Sequence, residues 1–122
     1  MLKNFLPLVA IIYLLSDVSF AKPRISDDEL VRIISVRDGV IASMETDVER
    51  IRNIEKKKGV TEGAVFKIYD ESYKKVKMEL EYYNAQNEDQ MYNYGTRKYK
   101  EFQTLVKQKR DKLRSNLTAS RK

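Results

Sequence analysis

The stretch that decides the fold is SDDELVRIISVRDGVIASMETDVERIRNIEKKKG, residues 26–59. It carries a start signal, an apolar stripe and a stop signal, and reads as one long amphipathic helix. Ser26 is placed to accept hydrogen bonds from the first-turn amides, and Glu29 to reach back to the amide of Ser26. Asp27 and Asp28 put negative charge at the positive end of the helix dipole. At the far end, Lys56-Lys57-Lys58 put cations at the negative end, and Gly59 is able to take the left-handed conformation that closes the last turn. Between these signals, Leu30, Ile34, Ile41, Met44, Val48 and Ile51 recur at steps of four and three, with Arg37 in the remaining stripe position. Gly39 weakens the middle by about 1 kcal/mol relative to alanine. The apolar phase is the same on both sides of it, which favours a continuous helix over a kink or turn at Arg37-Asp38-Gly39. The stripe is broad before Gly39, where Ile33, Val36 and Val40 flank it, and narrow after Met44. The broad half is expected to face the chain's own core. The narrow half is expected to form a helix-pairing seam with a partner, through Met44, Val48, Ile51 and Ile54.

Downstream, Gly59-Val60-Thr61-Glu62-Gly63 reads as a turn, with Thr61 a candidate N-cap. Phe66, Tyr69, Tyr73, Val76, Leu80 and Tyr83 then keep the four-three spacing, and the short turn makes this second helix antiparallel to the first. Asn84 to Gln90 is polar and lacks apolar periodicity. Asn87 with Gln90 three residues on resembles a capping box, so a second turn is expected here; the alternative is one helix running from Glu62 past Arg110. The last helix carries Tyr92, Tyr99, Phe102, Val106 and Leu113 on one side, with Gly95 in the same stripe allowing a close backbone approach. The expected helices are about 27–58, 62–86 and 90–114, followed by a basic polar tail, 115–122. No strand pattern is present. The fold class is all-α: a long helical hairpin or a three-helix bundle with coiled-coil character.

Upstream, Met1 to Ala21 reads as a secretory signal peptide. Lys3 supplies the positive segment, Phe5 to Leu15 the apolar one, and Ser19-Phe20-Ala21 the small residues before a cut after Ala21. The apolar run is short for a membrane span of about 20 residues. The expected location is therefore exported, periplasmic or extracellular, with a short extended lead-in at 22–25 and no transmembrane segment in the mature chain. The chain has 122 residues and no cysteine. It cannot use the disulfides that compensate for a small core in many exported domains, so helix packing, a partner or self-association must stabilise it.

Charge is uneven along the sequence. The whole chain carries a formal net charge of +6. From Arg97 to Lys122 there are ten basic residues against Glu101 and Asp111. Lys107, Lys109, Arg110, Lys112 and Arg114 are the candidate contacts for an anionic surface, whether membrane or envelope polymer. Nucleic acid is a poor candidate ligand for an exported protein. Seven tyrosines lie between Tyr69 and Tyr99. Most fall on the apolar stripes, where a ring packs inward and keeps its hydroxyl wet; Tyr82 and Tyr94 lie off them and are the better candidates for exposed contacts. Asn116-Leu117-Thr118 matches the N-glycosylation sequon.

Catalysis finds little support. Histidine and cysteine are both missing from the sequence, which removes the commonest general base and thiolate chemistry. No serine sits in a nucleophile motif, and there is no glycine-rich phosphate loop. Asn87-Glu88-Asp89 lacks the ligand spacing of a calcium-binding loop. No catalytic residues, metal or cofactor are expected.

Met44-Glu45-Thr46-Asp47-Val48, with its surrounding helix, resembles the coiled-coil arms of Skp-type (OmpH-like) periplasmic chaperones, which are also exported, helical and basic. That family has a strand-built body with no counterpart in this pattern. The resemblance implies what such a protein can do, which is to hold a client between helical arms. The leading expectation is a small exported helical protein that works by protein binding or self-assembly. The alternatives are an anionic-surface binder acting through the basic segment and a Skp-like holdase.

Overall fold

The computed structural model describes residues 24–61 and 63–120, so the expected signal peptide, Met1–Ala21, lies outside the described residues. Three helices pack pairwise on one another: α1 (Asp27–Lys57), α2 (Ala64–Tyr82) and α3 (Glu88–Ser120). There is no strand among the described residues. Of the two expected architectures this is the three-helix bundle, with α2 antiparallel to its neighbours.

Local chemistry accounts for each boundary. The Ser26 hydroxyl accepts from the Glu29 amide at 3.1 Å. Glu29 does not reach back to Ser26, however. Its carboxylate accepts from the amide of Glu88, the first residue of α3, and pairs with Arg32 at 2.9 Å. One anion thereby serves the positive ends of two parallel helices. Because of these bonds the Glu29 carboxyl lies below the usual carboxylate range, Arg32 being the largest cause. α1 passes through Gly39 without a break. It ends at Gly59, φ 82°, where Gly59 N–H bonds to Lys56 O at 2.9 Å and Val60 N–H to Glu55 O at 2.8 Å. Those two bonds form a Schellman closure.

The later boundaries differ from expectation. The N-cap of α2 is Gly63, not Thr61, and the Glu55 carboxylate of α1 accepts from the Gly63 amide at 3.2 Å. α2 stops at Tyr82, short of the expected end near 86. Beyond it Tyr83 stacks on Tyr94, centroids 3.7 Å apart, and Ala85 is drawn into the core. α3 begins at Glu88, with Asn87 Oδ1 accepting from Gln90 N–H and Gln90 Oε1 from Gln86 N–H, each at 2.8 Å. It runs on to Ser120, past the expected end near 114. No Gly or Pro follows Gly95 to stop it, so the described part of the expected polar tail is helix.

The core consists of Ile33, Ile41 and Met44 from α1, Val76 and Leu80 from α2, Ala85, and Met91, Phe102 and Val106 from α3. This corrects the expected division of α1. Met44 and Val48, assigned to a partner seam, are buried inside the bundle, whereas Leu30 and Ile34 of the broad half are exposed. The cause is the length of α2. Tyr73 bonds to Glu45 and Phe66 lies under Arg52. That antiparallel register puts Tyr82 level with Val36. Leu30 and Ile34 continue the α2-facing line of Ile41, Glu45, Val48 and Arg52, but they lie past the end of α2.

The stripe of α3 is also shifted by one residue at its start: Met91 is 1% exposed and Tyr92 62%. Gly95 explains the shift. A Cβ there would stand 2.8 Å from Val40 Cγ2, so the α3 backbone lies against α1 and turns Met91, one helical turn earlier, inward.

Candidate functional site

Past Gly95 the spacing between α1 and α3 is filled by rings. Phe102 meets Tyr69 edge-on, centroids 6.1 Å apart, and Tyr99 at 6.0 Å. Beside these rings lies an open cleft of about 410 Å³. Tyr69, Phe102 and Val106 form its floor, and Arg50, Lys107, Arg110 and Arg114 its cationic rim. Asp47 and Asp111 are the two carboxylates of the lining.

The polar bonds of the cleft leave a positive balance. Asp47 accepts from Arg50 at 2.9 Å and from the Tyr99 hydroxyl at 2.6 Å. That carboxylate, followed by burial, raises the Tyr99 phenol. Asp111 accepts from Lys107 at 3.0 Å and stands 3.7 Å from Arg114. Lys107 is the largest cause of the lowered Asp111 carboxyl. Arg110 donates to a neutral group, the Tyr69 hydroxyl, at 3.3 Å. Four cations thus face two carboxylates. Such a rim over an aromatic floor attracts an anion that also carries apolar surface.

The basic residues expected to act together separate here. Lys107, Arg110 and Arg114 line the cleft. Lys109 approaches Glu71 of α2 at 4.0 Å, and Lys112 is exposed outside the cleft. Arg50, from α1, joins the site although the charge run did not include it. Its only local signal is Asp47 one turn earlier. Of the expected seam, Ile51 is half-buried and Ile54 exposed. Ile54 borders a shallow groove on the outer face of α1 with Ala42, Thr46 and Asn53. Tyr82 is exposed as expected. Tyr94 instead stacks on Tyr83, with Arg97 and Lys98 over its ring.

A second charged cluster joins α2 to α3. Lys98 Nζ bonds to Glu79 and Glu101 at 2.9 Å each, and Lys75 reaches the same two carboxylates at 3.3 Å. These bonds raise both lysines, and the Lys98 bonds are the largest cause of the lowered Glu79 and Glu101 carboxyls. The four groups satisfy one another, which makes the cluster a clamp between helices.

Among the described residues no group of acidic side chains is placed to hold a metal ion. Among the described residues no helix is long and apolar enough to cross a membrane. No known protein family matches the chain, and no curated protein or solved structure does.

Proposed function

We propose that this protein is an exported, non-catalytic binding module that takes an acidic protein partner in the cleft between α1 and α3. The observation that carries this reading is the set of four cations, Arg50, Lys107, Arg110 and Arg114, around two carboxylates over an aromatic floor. Burial of Met44 and Val48 counts against a partner seam at those residues and supports the neighbouring cleft as the alternative. An acidic amphipathic helix fits such a groove, its apolar side chains on the rings and its carboxylates on the rim.

The test is titration of the protein with a helical peptide rich in Glu and Leu, followed by fluorescence anisotropy. Binding is expected to weaken with salt, because the contacts are between exposed charges. Replacing Arg50 and Arg110 together by Gln is expected to lower affinity about tenfold, equivalent to about 1.4 kcal/mol. Affinity that ignores both salt and the double substitution would sink the cleft as the site.

A second reading is supported by the reach of α3. Residues 114–119 are all exposed, which suits contact with an anionic membrane or envelope polymer. It predicts salt-sensitive binding to anionic vesicles that survives loss of Arg50 and is lost with Lys112 and Arg114.

A further inference from the structure

The two ends of the bundle are unequal in length, and the inequalities match. At one end α2 stops level with Val36, leaving about two turns of α1 without a neighbour on that side. The side chains left there are Leu30, Val31 and Ile34, which are 45%, 65% and 37% exposed. At the other end α3 outruns its neighbours. The Lys75–Glu101 and Lys98–Glu79 pairs set an antiparallel register that puts Ala64, the start of α2, level with Leu113. From Arg114 to Ser120 about two further turns of α3 project, roughly 10 Å at 1.5 Å per residue. Leu117 on this projection is 54% exposed, and its apolar neighbours are Val65 and Leu113.

The charges match as well. On α1, Asp27, Val31, Ile34 and Asp38 recur at steps of four and three, so the apolar slot has a carboxylate at each end of one helix line. Asp38 is paired with Arg37 at 3.1 Å, which leaves Asp27 as the anion at the open end. Residues 79–91, which close the same end, carry four acidic side chains and no basic one. Residues 105–120 carry five basic side chains and one acidic. Lys112 and Arg114 lie on the two sides of the Leu113–Leu117 line.

We infer that the slot of one molecule takes the projecting end of α3 from a second copy. Leu117 lies against Leu30, Val31 and Ile34, and Arg114, one turn before Leu117, approaches the carboxylate of Asp27 at the open end of the slot. The inserted helix continues the path that α2 leaves vacant. This contact shares Arg114 with the rim of the cleft but uses neither Arg50 nor the aromatic floor, so Arg50→Gln is expected to weaken a ligand of the cleft and leave the association unchanged. It is heterologous: every assembly keeps one free slot and one free end, so it extends into chains unless it closes as a ring. Two helical turns cover far less than the roughly 1,600 Å² of a standard stable interface, so the association is weak and concentration-dependent.

Sedimentation velocity of the purified protein over a concentration series tests this. The weight-average mass is expected to rise with concentration without stopping at a dimer, and to fall with salt. Val31→Glu removes the slot and Leu117→Glu the projecting apolar contact. Both positions are exposed, so helicity by circular dichroism is expected to stay unchanged. Each variant alone is expected to be monomeric. An equimolar mixture is expected to form a one-to-one dimer, because one variant keeps the slot and the other keeps the end. Rescue by mixing shows that slot and end meet between different molecules, and growth of the wild type past a dimer separates the open chain from a reciprocal two-fold dimer. A wild type that stays monomeric at every concentration, as when the chain's own N-terminal residues fill the slot, overturns the inference. So does a mixture that stays monomeric. If Leu117→Glu releases the protein from anionic vesicles while the wild type alone is monomeric, the projecting end serves a membrane and the second-copy reading falls.

Discussion

Along their length α1 and α3 meet in two ways. Where the first part of α3 crosses the middle of α1, Gly95 has no side chain, and Val40 presses directly on the α3 backbone. Two turns later Phe102, Tyr99 and Tyr69 stand in the same space, and the cleft opens beside them. The first half is a close backbone contact and the second is a contact through rings. A glycine and a phenylalanine on one stripe therefore decide where this bundle shuts and where it keeps a groove. Charge follows a related division, acidic around the start of α1 and the second turn, basic along the last half of α3.

The largest effect is expected where the rings separate the helices. Phe102 is fully buried, and Phe102→Ala should cost about 3–5 kcal/mol through lost transfer free energy and the cavity left behind. Urea denaturation followed by circular dichroism measures this. At the opposite end Leu30→Ala should change stability by less than about 0.5 kcal/mol, because Leu30 is already exposed. Equal costs at the two sites would mean that the aromatic half is not where the bundle gains its packing energy. Loss of the ring should also weaken any ligand of the cleft, since Phe102 is part of its floor.

The same division explains what could be read from the sequence. The all-helical bundle was legible because its signals are local. Ser26, Gly59 and the Asn87–Gln90 pair act within one turn of themselves, and the stripes repeat every three or four residues. Gly95 was legible as a close approach for the same reason. The fate of Met44 and Val48 was not, because it depends on where α2 ends, and α2 ends where Tyr83 finds Tyr94 across the bundle. Glu29 and Glu55 look like intrahelical groups, yet they bond to amides at the start of α3 and of α2. The charge run revealed three cations of the cleft, Lys107, Arg110 and Arg114. Arg50 stayed hidden in a charge-balanced stretch and becomes part of the site only when α1 and α3 are brought side by side.

Two glycines sharpen the comparison by opposite responses. Gly95→Ala places a methyl group 2.8 Å from Val40 Cγ2. The helices must move apart or Val40 must leave its rotamer, at a cost of about 1–3 kcal/mol. Gly39 has nothing within 4 Å of an added Cβ and lies on the exposed side of α1. Gly39→Ala should stabilise the bundle by up to about 1 kcal/mol, because alanine loses less backbone entropy in a helix. Thermal denaturation of both variants gives the two signs directly. A stabilising Gly95→Ala would show that the close approach of α1 and α3 is not set by that glycine.

The smallest expected effect concerns the Lys75–Glu79–Lys98–Glu101 clamp, which joins α2 to α3 between the close half and the ring half. The Glu79 and Glu101 carboxyls are lowered by bonds to Lys98 first and to Lys75 next. Their contribution to stability is present above the ordinary glutamate value of about 4.3 and is lost as pH falls through the lowered folded values. Lys98 and Lys75 are raised by the same carboxylates. Their contribution is complete below the ordinary lysine value of about 10.4 and is lost as pH rises through the raised ones. The clamp therefore acts between those limits. Its carboxylates are about one-third exposed, so solvent screening holds each pair to about 1 kcal/mol or less. Lys98→Met keeps the length of the side chain and removes its charge. The melting temperature of this variant should lie below that of the wild type near neutral pH, and the gap should close as the medium is acidified below about pH 4.3. A gap that is the same at every pH would mean that Lys98 acts through the packing of its methylenes on Tyr94, and not through the two carboxylates.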